Sequence, residues 1–220
     1  MSQALDDLIA FLNEATSPFH AVSALSRRLE HAGFKQIDSL DDVERESGAG
    51  YYVTANDSSI IAFRVGADCP SSGIRVIGAH TDSPNLSVKP NPLKMRSGVL
   101  QLAVDVYGGA LLNPWFDRDL SLAGRVSFVD AEGNLQSRLI DFRRPVAIVP
   151  SLAIHLDREA NKNRTINPQT DILPIISGLP SGDDADLEFL DLLAGQIARE
   201  YDDCDDVRVL DFELSLYDCQ

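Results

Sequence analysis

Cysteine is scarce in this sequence. The 220 residues include three, Cys69, Cys204 and Cys219, an odd number with no Cys-x-x-Cys spacing. That argues against a disulfide framework and against a structural zinc finger, and it fits a reducing, cytoplasmic compartment. Positive charge is short as well: 19 Lys and Arg stand against 34 Asp and Glu, a net charge of −15. Such a balance disfavours non-specific nucleic-acid binding and anionic membrane surfaces, so neither is expected as a partner. No apolar run is long enough to span a bilayer. The segment Met1-Ser2-Gln3-Ala4-Leu5-Asp6-Asp7 lacks the basic start and apolar core of a secretion signal. Internal repeats and low-complexity tracts are absent too. What remains is a 44% hydrophobic chain, ordinary for a globular protein with a real core, of a length that suits one large or two small domains.

Helices come first. Leu5, Leu8, Ile9 and Leu12 recur at i, i+3, i+4 and i+7, an amphipathic helix with Asp6 and Asp7 in its first turn. Thr16-Ser17-Pro18 ends it and starts another, with Ser17 as N-cap, Pro18 at the first helical position and Gly33 at the C-terminal cap. His20 and His31 lie on this second helix and read as ordinary residues. Strand, turn, strand follows over Tyr51–Thr54, Asn56-Asp57 and Ser59–Val65. Ile74–Ile77 reads as a further short buried strand. Pro90, Pro92 and Gly98 mark a change of texture. Alternating segments then run over Leu100–Val106, Leu120–Phe128 and Leu135–Phe142, the last two joined by the turn Asp130–Asn134, with Val146–Val149 after them. Closely spaced short strands predict a small barrel or sandwich. A loop over Ser177–Asp184, a helix carrying Leu187, Leu190, Leu193, Ala194 and Ile197, an acidic solvated turn at Asp202–Asp206 and a last strand from Val207 to Leu216 complete the chain.

The stretch that bears chemistry is Gly78-Ala79-His80-Thr81-Asp82-Ser83-Pro84. An imidazole placed at the carboxyl end of a strand can give one ring nitrogen to a metal. A carboxylate two residues on can hold the other ring N–H and fix the tautomer. His80 is therefore expected as a metal ligand and Asp82 as its orienter. The competing expectation is a histidine satisfied by local hydrogen bonds, because His-x-Asp alone is a weak pattern and a catalytic zinc needs three protein ligands.

Taken together, several segments carry a family likeness. Gly78–Leu86 with Lys89-Pro90, Tyr107-Gly108-Gly109, Trp115-Phe116-Asp117-Arg118-Asp119-Leu120, Pro150–Arg158, Ile166-Asn167-Pro168-Gln169 and Asp211-Phe212-Glu213-Leu214 resemble the aspartyl aminopeptidase family of cytosolic co-catalytic metallopeptidases. The likeness runs from Thr16-Ser17-Pro18-Phe19-His20 to the last residue. It implies an α/β zinc-peptidase domain, here its N-terminal part over 1–91, into which a β-rich, barrel-like dimerisation domain, here 92–220, is inserted. It also implies dimers building a tetrahedral dodecamer, a two-metal zinc site that imidazole and carboxylate would equally offer to Mn or Co, and removal of N-terminal Asp or Glu from peptides.

Residue by residue, the resemblance makes His80 the first metal-ligand histidine and Asp82 the catalytic carboxylate supporting it. It makes His155 a histidine needed for activity, either a metal ligand or a group that reaches substrate in a neighbouring subunit's site. The second role is favoured, because a ligand from a distant domain is harder to preorganise; a packed histidine in a β-domain is the plain alternative. Lys89, Arg118, Arg158 and Lys162 are candidates for meeting an acidic substrate side chain, Lys89 foremost, each set against a surface or ion-pair role. The family's bridging aspartate, paired glutamates and last ligand histidine have no counterpart here. The polypeptide is thus expected to be about half of the enzyme and inactive alone. Two rival readings stand beside this one: another His-x-Asp metal hydrolase, such as a deacylase or amidohydrolase, and an assembly scaffold with an incomplete site.

Overall fold

The structure, a computed structural model, describes residues 3–44, 46–67, 73–96, 98–176, 185–204 and 206–220. The expected loop Ser177–Asp184 lies outside them. The chain divides into two compact units, Met1–Ser83 and Pro84–Gln220.

In the first unit, helix α1 (Gln3–Glu14) precedes α2 (Pro18–His31). Ser17 is extended, and its hydroxyl accepts the His20 amide while Pro18 occupies the first turn. At the other end Ala32 is the cap and Gly33, one residue on, has φ +81°. Its amide donates to Glu30 and that of Phe34 to Leu29, the paired bonds of a Schellman ending. Phe19, Ala21, Val22 and Ala24 bury one face of α2. Strands β1 (Lys35–Gln36), β2 (Gly50–Ala55) and β3 (Ser59–Arg64) form a sheet in that order, β1 parallel and β3 antiparallel to β2. Asn56 and Asp57 both take positive φ, and Ser58 donates to Ala55 across them, so this hairpin turns through the left-handed conformation that matches strand twist.

Two expectations for this unit need correcting. The stripe Leu5, Leu8, Ile9 and Leu12 is exposed and α1 buries no residue. It is the opposite pattern that engages α2: Asp7 pairs with Arg28 at 2.6 Å, Glu14 with Arg27 at 2.9 Å, and the Arg28 guanidinium sits 5.3 Å from the Phe11 ring centroid. Nor do Ile74–Ile77 form a buried strand. They take no regular structure, and Ile74, Val76 and Ile77 are 86%, 84% and 98% exposed. A run apolar on both faces becomes a strand only when neighbours pair with its backbone, and among the described residues none does.

The second unit is a closed β-barrel. Its strands are β4 (Asn85–Arg96), β5 (Val99–Tyr107), β6 (Leu120–Val129), β7 (Leu135–Asp141), β8 (Ala147–Ile148), β9 (Ile175–Ile176) and β10 (Arg208–Asp218). The ring runs β10-β4-β5-β9-β8-β6 and closes because β6 also pairs with β10, antiparallel along its whole length; β7 extends the sheet from β6. Position 91/92, where the sequence texture shifts, falls inside β4; the two compact units divide between Ser83 and Pro84. Pro90 and Pro92 lie where the β4–β5 register slips, between Val88 and Leu93. A residue without an N–H fits an interrupted ladder, so these prolines mark a bulge and not a linker.

The alternating residues Leu100, Leu102, Val104, Leu120, Leu122, Val126 and Phe128 fill one core, and helix α3 (Ala185–Glu200) adds Phe189, Leu193 and Ile197. Gly124 sits on the inward face of β6, where a Cβ would lie 2.0 Å from the Glu213 carbonyl oxygen of β10. Asp141 anchors the polar seam: it accepts from Tyr217 Oη at 2.6 Å, and its own amide donates to Glu200 of α3 at 2.9 Å. Burial, and then that carboxylate, push the Tyr217 phenol well above its ordinary value. Among the described residues no helix is long and apolar enough to cross a membrane.

Candidate functional site

His80 follows the unpaired apolar run and is 78% exposed at its side chain. Its Nδ1 lies 2.7 Å from the Asp82 carbonyl oxygen and 3.0 Å from Asp82 Oδ1. Both partners are acceptors, so Nδ1 carries a ring proton, and in the neutral imidazole Nε2 then holds the lone pair. Thr81 Oγ1 donates to the Ser58 carbonyl at 2.7 Å, tying the motif to the β2–β3 turn. Pro84 ends it, packed beside Gly108. The donor chemistry fits one zinc ligand: a neutral imidazole with a fixed tautomer and its acidic orienter. It fits no complete site, since no group of three His, Cys, Asp or Glu able to hold a metal occurs among the described residues. The local hydrogen bonds of the competing reading are present as well. They occupy Nδ1, and therefore leave the ligand reading open at Nε2.

His155 belongs to the second unit, in a turn where the amides of Leu156 and Asp157 donate to the Ala153 carbonyl. It is exposed, which removes the reading of a packed core histidine. The turn lies in the irregular connection from β8 to β9, and three residues, Asp117, Arg164 and Asp171, fasten that connection. Asp117, at φ +58°, accepts the Ser151 amide on Oδ1 at 2.8 Å while its own amide donates to Val149. Arg164 stacks 4.1 Å from the Phe116 ring centroid and pairs with Asp157 at 3.3 Å. Asp171 accepts the Asn167 amide at 2.9 Å. Hydrogen bonds from the Ser151 hydroxyl and amide hold the Asp117 carboxyl below the usual carboxylate range; those of the Asn167 amide and Thr170 hydroxyl do the same for Asp171. Phe116, Asp117 and Arg164 are thus positioning residues for the His155 turn. Sequence reasoning matched the Trp115–Leu120 motif without seeing this role. The one available signal was an aspartate ahead of a β-strand that tolerates left-handed backbone.

Lys89 pairs with Asp105 across β4–β5 at 2.8 Å, so its charge is already partnered. Arg118 donates to Pro114 O at 2.6 Å and pairs with Asp218. Arg158 and Lys162 are exposed. The structure therefore brings His80 and Asp82 together, and places His155 and Lys89 in the other unit. A surface hollow of about 380 Å³ lined by Lys35, Glu44, Glu46 and Tyr51 contains none of these candidates.

Residues 11–220 match the family model of the aminopeptidase I zinc metalloproteases, M18. The probable M18 family aminopeptidase 2 of Pseudomonas aeruginosa is 56% identical over 214 residues, which is 97% of this chain and 49% of that one. Its namesake from Ectopseudomonas mendocina is 52% identical over 219 residues, 99% of this chain and 50% of the relative. The chain thus spans about half the length of the curated relatives it matches. Among solved structures, the Ape4–Nbr1 complex aligns with TM-score 0.87 at 37% identity, over 97% of this chain and 43% of the other. Chaetomium thermophilum mApe1 aligns with TM-score 0.78 at 31% identity, over 98% and 50%. The Saccharomyces mApe1 structure, at 25% identity and TM-score 0.78 over 99% and 48%, is described as a dodecamer. With 210 consecutive positions covered by one family model and a barrel shared with these structures, the chain belongs to the M18 aminopeptidase family of zinc metalloproteases.

Proposed function

We propose that this chain carries the first part of the catalytic domain and the dimerisation domain of a zinc aminopeptidase that removes N-terminal Asp or Glu from peptides. The observation that carries the reading is the His80–Asp82 pair, with Nδ1–H held by two oxygens and Nε2 left to bind metal. A zinc bound there, whether alone or as one of two ions, supplies a water of lowered pKa and an electrophile for the scissile carbonyl. The residues of this chain do the rest of what is visible. Asp82 fixes the imidazole, Thr81 fixes the backbone beneath it, and the Asp117–Ser151 and Arg164–Phe116 contacts hold the His155 turn ready to meet substrate in a neighbouring subunit. Mn and Co suit the same donors. The acidic preference has no preformed cationic pocket behind it in this chain; Lys89 and Arg118 would have to exchange their carboxylate partners for a substrate's.

Family membership supports this reading over a deacylase or amidohydrolase. The scaffold reading keeps one favourable observation, the closed barrel with a core of its own. Activity on aspartyl, glutamyl and leucyl anilides separates the readings. The isolated chain is expected to be inert. This chain supplemented with the relatives' unmatched half is expected to cleave the acidic substrates, and His80→Ala to abolish that cleavage together with bound zinc. Full turnover by His80→Ala, or preference for the leucyl substrate, would overturn the assignment.

A further inference from the structure

The segment Trp115–Asp119, just ahead of β6, joins two parts of the second unit that are far apart in sequence. Asn113–Trp115 make one 3₁₀ turn, and Phe116 and Asp117 form the tip of the short loop that follows. That tip holds the connection carrying His155. Phe116 bridges to Val149 and stacks with Arg164, and Asp117 takes the Ser151 amide. Arg118 closes the loop behind the tip. Its Nε donates to the Pro114 carbonyl at 2.6 Å, and its Nη1 pairs with Asp218 at the carboxyl end of β10. Asp119 continues the join to the same strand end: its carbonyl accepts the Cys219 amide at 3.1 Å, and its carboxylate accepts the Gln220 side-chain amide at 3.2 Å. The Arg118 and Asp218 side chains are 46% and 34% exposed, and a pair so placed adds little to global stability. What it fixes is position: one guanidinium closes the loop and anchors it to β10.

We infer that Arg118, held by Asp218, is a positioning residue for the His155 turn and not a reader of substrate charge. The inference rests on the reading of His155 as the group that meets substrate. The bonds to Pro114 and Asp218 share one rigid plane, so turning that plane toward a substrate carboxylate gives up both. The loop is then released, and with it the Asp117 carboxylate that fixes Ser151 on the approach to His155. Lysine in place of Arg118 keeps the charge and loses the fork. A charge reader and a positioning residue therefore respond differently to that one substitution.

The first readout uses this chain alone. Arg118→Lys and Asp218→Ala should each speed amide exchange at Ser151 about tenfold, a local opening. The Phe142 amide, bonded to the Leu122 carbonyl, should be unaffected. Arg125→Gln removes another ion pair between β6 and β10, that with Glu213, and should leave both amides unchanged. The second readout supplements the chain with the relatives' unmatched half. Both variants should then lower kcat about tenfold, within the ~100-fold that a 1 Å misplacement can cost, with KM and the preference for aspartyl over leucyl anilide kept. Unchanged exchange at Ser151 sinks the inference, and so does near-normal kcat in Arg118→Lys or a raised KM with the acidic preference lost. His155→Ala keeps the two readings apart: full turnover there faults the role of His155, whereas Ser151 exchange judges the fastening. Should the supplemented chain not turn over, exchange alone decides.

Discussion

Replacing Gly124 by alanine attacks the seam that closes the barrel. The new methyl carbon would lie 2.0 Å from the Glu213 carbonyl oxygen and 3.0 Å from the Leu214 Cα, both backbone atoms that cannot rotate away. Contacts under 3.0 Å are not sustained, so β6 and β10 must part by about 1 Å in the middle of their shared register, at the pairs Gly124–Leu214 and Arg125–Glu213. Overpacking of this kind costs about 1–3 kcal/mol, and a buried ladder bond stretched without a replacement costs about 1–3 kcal/mol more. The expected loss is about 3 kcal/mol or greater, a large part of the ~5–15 kcal/mol that holds a domain together. Urea unfolding followed by the single tryptophan, Trp115, which packs against this core, reads it directly. With a slope of about 1–3 kcal/mol per molar urea, the midpoint should fall by about 1 M or more. Gly195→Ala supplies the opposite sign: it lies exposed on α3 with nothing within 4 Å, and gains up to about 1 kcal/mol of helix propensity. A Gly124→Ala protein within about 0.5 kcal/mol of the parent would refute the close-approach argument.

Acid should loosen the His155 connection before it unfolds the barrel. Asp117 and Asp171 have lowered pKa values in the fold, so their hydrogen bonds contribute fully above the unfolded carboxylate value of about 3.9 and are lost as pH falls through the lower folded values. The Ser151 and Asn167 amide resonances should report midpoints below about 3.9; midpoints at or above it would contradict the assignment. Ser17→Ala should cost about 1 kcal/mol through loss of the N-cap, seen as a lower urea midpoint for the first unit's helical signal. A change under a few tenths would mean that Pro18 alone sets the start of α2.

Local rules carried most of the elements. The Ser17-Pro18 start, the glycine ending at Gly33, the Asn56-Asp57 hairpin and the alternating strands β5, β6 and β7 all depend on residues a few positions apart, so the sequence displays them. The His80–Asp82 pair was legible for the same reason: two residues of separation suffice for the ring nitrogen to find its acceptors. The two-residue strand β9 carries no periodic signal, because it exists only as the link between β5 and β8.

What the sequence by itself determined was therefore the order of elements, the barrel character of the second unit, the tautomer-fixing pair and the family. Tertiary structure alone decided that Pro90 and Pro92 sit in a bulge, that Gly124 lets two backbones meet, that Asp117 and Arg164 brace the His155 turn, and that Leu5–Leu12 and Ile74–Ile77 stand uncovered. The physical reason is common to all four. Periodicity states which face of a segment is apolar, but what lies against that face is set by residues distant in the chain, and no local pattern encodes them.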